Sequence, residues 1–141
     1  MPRQLSTFRL DGRLYGVDVA CVQEALRMQA HTPVPLAPHA VAGLVNLRGQ
    51  VVLLIDLRAR LGREPFAADT EPMMIVVKVD TEPVALMVDA VEDVIDADLS
   101  DVVAPPPTLE PALRDVVTGV LTFDDELLLV LDVAQATQVS A

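Results

Sequence analysis

The sequence predicts a mainly β protein built from two related small barrels. Three observations carry that expectation. Short apolar segments are cut by Pro, Gly and Asp; two blocks recur in the same order; and the apolar content is Val, Leu, Ile and Ala, with only 3% aromatics. With 141 residues, 52% of them hydrophobic, the chain is one domain in length, or two very small barrels sharing a core. That apolar share argues against disorder.

In chain order, Thr7-Phe8-Arg9-Leu10 alternates, Asp11-Gly12 is a turn signal, and Leu14-Tyr15-Gly16-Val17 returns as a second strand. Val19, Val22 and Leu26 then stand at helical spacing, which predicts a short amphipathic piece. Prolines 33, 35 and 38 make the next stretch an extended connection. Residues 43–57 read as strand, tight turn, strand, and 57–62 as a brief helical turn closed by Gly62. The second half repeats the order. Residues 73–79 form a strand, 80–83 a turn and 84–88 a strand. Val91, Val94 and Ile95 echo the amphipathic piece, Pro105-Pro106-Pro107 is extended, and 119–133 is strand, turn, strand.

The repeat is visible in letters. AGLVNLRGQVVLLIDL (42–57) lies over TGVLTFDDELLLVLDV (118–133) without a gap, Gly43 on Gly119 and Asp56 on Asp132. FRLDGRLYGVDV parallels VKVDTEPVALMVDA, with Asp11 on Asp80 and Asp18 on Asp89. Small barrels suit such short strands because closure removes exposed edges. The runs 51–55 and 127–131 are apolar on both faces, so both are expected to be buried on both sides, where one barrel packs on the other.

Charge narrows the function. Net charge is −11. Residues 1–70 hold eight arginines against six acids, whereas 71–141 hold two basic residues against fifteen acids. Nucleic acid is excluded as a partner, since it demands clustered Lys and Arg. The asymmetry suggests halves that face different partners. No apolar run approaches the roughly 18 residues of a membrane span, and Met1-Pro2-Arg3-Gln4-Leu5-Ser6 is no signal peptide, so a cytoplasmic protein without membrane insertion is expected.

Catalytic and metal constellations are missing. Cys21 is the single cysteine and reads as packing; His31 and His39 lack a third ligand. Phosphate-loop, dinucleotide and nucleophile-elbow patterns do not occur. Counted as a calcium loop from Asp96, the segment has Asp101 in place of Gly and Pro107 in place of Glu. No catalytic residue, metal or cofactor is therefore expected.

What remains is a contrast between matched hairpins. The second half turns through Asp124-Asp125, the first through Arg48-Gly49. Gly49 suits a turn needing positive φ. Arg48 does not, and its guanidinium offers a planar fork for a carboxylate or for carbonyls, with the Asn46 amide beside it.

At this hairpin the chain resembles the CheW family of bacterial chemosensory coupling adaptors. The residues that carry the resemblance are Asn46-Leu47-Arg48-Gly49 and Ile55-Asp56-Leu57-Arg58. Phe8, Tyr15-Gly16-Val17-Asp18 and Val22-Gln23-Glu24 match upstream, and residues 88–94 and 118–120 downstream. The resemblance implies a single domain over 5–140. It would consist of two intertwined five-stranded SH3-like barrels (about 7–70 and 71–137) that exchange strands and are joined by short helical connections. It implies no catalysis, and partners in chemoreceptor hairpin tips and the regulatory domain of the histidine kinase CheA. CheW-like molecules could join it in rings, and recruitment would be to chemoreceptor arrays. Carried over by residue, Asn46, Arg48, Gly49, Glu24, Val22 and Gly43 are partner-binding candidates, Arg48 is expected to pair with Glu24, and Met73, Val91 and Val94 are candidates for a receptor groove. Leu53 stands where the family commonly has proline and Ala85 where it often has glycine, and little room follows Val133 for a C-terminal helix. Two alternatives remain open: an adaptor of a non-flagellar chemosensory pathway, and a small-molecule or enzymatic double barrel using the inter-barrel cleft.

Overall fold

The computed structural model describes residues 2–138. Met1 and residues 139–141, which include the end of the expected 5–140 span, lie outside the described residues.

Strand β1 (Pro2–Leu10) turns into β2 (Arg13–Asp18) through Asp11 and Gly12, whose φ values are +53° and +79°. Positive φ at both central residues is the type I′ pattern, whose twist matches that of a hairpin. Register sets Phe8 opposite Tyr15, and the two rings stack 5.6 Å apart.

The amphipathic piece expected next is not a helix. The Asp18 carboxylate accepts the Ala20 N–H and caps only a 3₁₀ turn, Val19–Cys21. The chain then extends as β3 (Val22–Arg27), with Val22, Glu24 and Leu26 half-buried between exposed neighbours. Residues four apart share a face in a helix and in a strand alike, so the 22/26 spacing could not decide between them. Pairing with a neighbouring strand, and the β-branched Val22, decide for the strand.

A two-residue strand, β4 (His31–Thr32), precedes the Pro-rich connection. β5 (Val41–Leu47) and β6 (Gln50–Asp56) then form the Arg48-Gly49 hairpin, and α1 (Leu57–Arg60) follows. Asp56 caps α1 by accepting the Ala59 N–H, and Gly62, at φ +69°, ends the turn.

The second half repeats this course. β7 (Met73–Val79) and β8 (Glu82–Val88) form a hairpin through Asp80 and Thr81. β8 starts two residues before its expected beginning at 84, with Pro83 inside it. The proline is tolerated because pairing of β8 with β6 begins only at Val84. β9 (Ala90–Asp98) replaces the second expected amphipathic piece, again as a strand, with Ile95 and Ala97 buried. After the Pro-rich stretch come a helical turn the sequence did not announce, α2 (Pro111–Arg114), then β10 (Val117–Phe123), β11 (Glu126–Leu131) and α3 (Val133–Ala136). α3 occupies the stretch where little room for a helix was expected. It copies α1, Asp132 accepting the Gln135 N–H as Asp56 accepts that of Ala59.

The strands form two sheets, ordered β10-β11-β2-β1-β9 and β3-β7-β8-β6-β5-β4. The first hairpin of the chain therefore pairs with strands of the second half, and hairpin β7–β8 pairs with strands of the first. Of the four junctions, β1–β9 and β3–β7 are antiparallel and β11–β2 and β6–β8 parallel. Leu53 and Ala85 meet the latter junction at successive registers (Leu53 opposite Val84, Leu54 opposite Ala85), and the ladder runs on through Leu53. One sheet has six strands rather than the expected five because β4 adds to it.

Both sheets close alike. The chain leaving β3 returns as β4 to pair with β5, and the chain leaving β9 returns at Val103 to bridge Val120 of β10. Glycine makes each approach possible. A Cβ on Gly43 would stand 2.4 Å from the Thr32 carbonyl oxygen, and one on Gly119 2.3 Å from a Val102 methyl. Both sit where the hairpin register slips by one residue.

Three apolar clusters result. Leu54, Met74 and Val76 belong to one barrel and Leu5, Ile95 and Leu128 to the other, while Phe8, Tyr15, Ile55, Leu86, Leu113 and Leu129 belong to the core the halves share. The two doubly apolar runs thus alternate between a barrel interior and the shared core. Their first residues depart from expectation: Val51 is 64% exposed and Leu127 58%, since each follows a hairpin turn before the facing layer begins.

Candidate interaction site at the Arg48 hairpin

Four tight hairpins turn through pairs of positive-φ residues: Asp11-Gly12, Arg48-Gly49, Asp80-Thr81 and Asp124-Asp125. Three of the four begin with aspartate, whose short side chain tolerates left-handed backbone. Arg48, at φ +55°, gains no such local compensation. The turn is held instead by Asn46, whose Oδ1 accepts the Gly49 N–H at 3.0 Å. The Asn46 oxygen, expected to serve a partner, is thus engaged by the turn itself.

Arg48 Nη2 donates to Glu24 Oε1 at 2.8 Å. Glu24 lies on β3 beside a register slip between Val22 and Glu24. The acid is largely covered, 17% exposed at its side chain, whereas that of Arg48 is 78% exposed. Glu24 therefore anchors one nitrogen and leaves most of the guanidinium facing outward. Such an exposed pair contributes about 0–1 kcal/mol to folding, so its consequence is orientation rather than stability.

The remaining expected site residues divide. Val22, Met73 and Val91 are half-buried against the shared core, and Val94 is exposed on β9 opposite Ser6. Gly43 is the closure glycine, its α-carbon facing the Thr32 carbonyl. None of these residues lines either of two clefts found among the described residues. The larger, about 950 Å³, is polar, lined by His39, Arg60, Asp115 and Gln135, with Arg60 donating to the Gln135 carbonyl at 2.8 Å. The second, about 460 Å³, lies among Leu14, Leu109, Val120, Leu127 and Leu129.

Sequence reading missed a belt of ion pairs. Arg9 grips Glu126 through two 2.7 Å bonds and reaches Glu92 at 3.0 Å; Arg13 grips Glu110 at 3.1 and 3.2 Å. Arg58 meets Asp89 at 2.9 and 2.6 Å and covers the Phe66 ring at 5.1 Å, and Arg63 meets Asp11 at 2.9 Å and Glu110 at 3.5 Å. Four of the eight first-half arginines thus bind acids of the second half, so part of the charge asymmetry is met inside the fold. The asymmetry of the sequence was the available signal; a use inside the fold was the reading it lacked.

Burial pushes the Asp89 carboxyl up, but Arg58 and the Asp11 N–H outweigh it and hold it below the usual range. Arg13 lowers Glu110 and Arg9 lowers Glu126 in the same way. Burial, then Asp18, pushes the Cys21 thiol up, the opposite of an activated nucleophile. Among the described residues no group of three or more His, Cys, Asp or Glu could hold a metal ion, and no helix is long and apolar enough to cross a membrane.

Comparison with known proteins agrees with this architecture. The chain is similar to the crystal structure of the scaffolding protein TtCheW from Thermoanaerobacter tengcongensis, with TM-score 0.87 and 30% identity over 99% of this chain and 95% of that one. It is 31% identical to a probable chemotaxis protein CheW of Rhizobium etli, and 31% identical to chemotaxis protein CheW of Rhizobium meliloti, in each case over 92% of this chain and 84% of the relative. The fold is that of the family, two SH3-like barrels. The family model described as the CheW-like domain matches residues 4–140, and the chain belongs to that family.

Proposed function

We propose that this protein is a non-catalytic adaptor that couples chemoreceptor hairpin tips to the regulatory domain of the histidine kinase CheA in a chemosensory array. The observation that carries the reading is Arg48. It sits in left-handed backbone that three sister turns give to aspartate, and Glu24 holds one of its nitrogens while the rest of the fork faces outward. A guanidinium fixed in that way suits a partner carboxylate or a row of carbonyls, and arginine is enriched where such contacts dominate binding energy. Asn46 and Gly49 build the turn and Gly43 seats the strand beneath it, so these residues act on partners through Arg48.

The protein would work as one domain over 5–140 made of two repeats, about 7–70 and 71–137, that exchange hairpins. Such exchange fixes the barrels relative to each other, which an adaptor holding two partners in register requires. It would act in the cytoplasm at receptor arrays. The test is recovery of receptor cytoplasmic fragments and of the kinase by the wild-type chain. Failure to recover either one removes the reading.

A further inference from the structure

The larger cleft is built from matching segments of the two repeats. In the alignment that places Gly43 on Gly119, His39 falls on Asp115 and Ala59 on Gln135, and all four residues line this cleft. The backbone keeps the same match: the Asp56 N–H donates to the Ala40 carbonyl and the Asp132 N–H to that of Val116, both at 2.8 Å. The chemistry does not keep it. Histidine stands on one side where the other has an acid, and Arg60 has Ala136 as its counterpart. Arg60 is also the exception among the covered arginines. Arg9, Arg13, Arg58, Arg60 and Arg63 are half-buried, and all but Arg60 hold carboxylates. Arg60 holds only the Gln135 carbonyl, and its Nε is covered with no acceptor among the described residues. A half-buried cation without a counter-ion is costly. Asp115 is in the converse state, an exposed acid on the same cleft with no ion pair among the described residues.

We propose that this cleft binds a free α-amino acid, its carboxylate on Arg60 and its ammonium group on Asp115. A guanidinium lacking a carboxylate and a carboxylate lacking a cation, on one cleft, match a molecule that carries both groups. Each also selects against simpler ligands: Asp115 repels a plain anion and Arg60 a plain cation. The volume, about 950 Å³, admits a molecule of metabolite size. His39, Gln135 and Gln138 supply polar groups for the ligand's side chain, so a polar side chain is selected. The Thr137 hydroxyl is already spent on the Val133 and Ala134 carbonyls. A ligand held in this way spans Arg60 of the first half and Asp115 of the second, and so stabilises the packing of the two. The site uses neither Arg48 nor Glu24, and its success or failure is independent of kinase and receptor recovery.

Thermal-shift screening of the wild-type chain against the free L-amino acids, followed by calorimetric titration of the strongest, tests it. At least one with a polar side chain is expected to bind with a Kd of about 1 mM or tighter. Its N-acetyl derivative lacks the ammonium group and its α-amide lacks the carboxylate. Both are expected to bind at least tenfold more weakly, as is inorganic phosphate. Asp115→Asn, at an exposed position, keeps the fold and should lose at least tenfold in affinity for the amino acid, along with the preference over the N-acetyl derivative. Arg60→Gln should lose as much; if it melts lower than wild type, Asp115→Asn carries the test alone. Binding of none of the amino acids, equal binding of either derivative, or unchanged affinity in Asp115→Asn or in a folded Arg60→Gln overturns the proposal. So does coupling between Arg60 and Asp115 in the stability of the ligand-free chain, which would mean that the two pair with each other.

Discussion

Arg58 and Asp89 are joined by two parallel hydrogen bonds, 2.9 and 2.6 Å, across the seam between the two halves of the chain. Asp89 also accepts the Asp11 N–H at 2.8 Å, so one carboxylate ties α1 to the turn of the first hairpin. Both side chains are mostly covered, which spares the pair much of the screening that weakens surface pairs. Arg58→Ala is expected to cost about 2 kcal/mol, because it leaves Asp89 half-buried without its cation. Urea unfolding measures it, and Asp89→Asn in the same cycle should show coupling of about 1 kcal/mol or more. Additive losses would mean the pair is incidental.

Acid should loosen the same seam. Asp89, Glu110 and Glu126 have carboxyls lowered on folding, so their contribution is fully present above the ordinary carboxylate range, about 4. It is lost as pH falls through that range and below the folded values. Thermal melting followed from neutral pH down to about 3 should show Tm falling mainly below about pH 4.5, and less steeply in Arg58→Ala. A decline centred well above that range would contradict this account.

The closure glycines predict an order. Gly43→Ala should cost about 2–4 kcal/mol, since the new methyl meets backbone at Thr32 and the φ of +153° disfavours any side chain. Gly119→Ala should cost less, because the nearest atom is a Val102 methyl that can rotate away. Denaturation midpoints of the two variants decide the point, and the reverse order would contradict this account of barrel closure.

At the tip, stability and binding should part company. Arg48→Asn places a left-handed-tolerant residue on the turn and should leave Tm unchanged or raise stability by about 0.5–1 kcal/mol. Asn46→Ala, which removes the acceptor for the Gly49 N–H, should cost about 1 kcal/mol. Thermal melts of both variants are the check. A destabilised Arg48→Asn would mean that the arginine supports the fold.

Much of this architecture was legible in the letters, because hairpins advertise themselves. Asp11-Gly12 and Arg48-Gly49 mark their turns, and the Gly43/Gly119 and Asp56/Asp132 matches mark the repeat. The pair of Arg48 with Glu24 was expected from family resemblance and is present at 2.8 Å. Two kinds of feature were not legible. β3 and β9 carry a helical spacing in the sequence because i and i+4 fit both periods, and only a paired neighbour chooses. The arginine belt joins residues as far apart as Arg9 and Glu126, a proximity created by hairpin exchange and absent from any local pattern. The part Gly43 plays in barrel closure was not legible either, because the sequence does not display the Thr32 carbonyl that faces it.

The central claim is that Arg48, oriented by Glu24, engages the partners. Its most direct measurement is the affinity of the purified chain for the regulatory domain of its native kinase and for a receptor cytoplasmic fragment, compared among wild type, Arg48→Asn and Arg48→Glu. The account predicts binding to at least one of them weakened tenfold or more in both variants, more in Arg48→Glu, with Tm preserved. Unchanged affinity for both partners in both variants would contradict it.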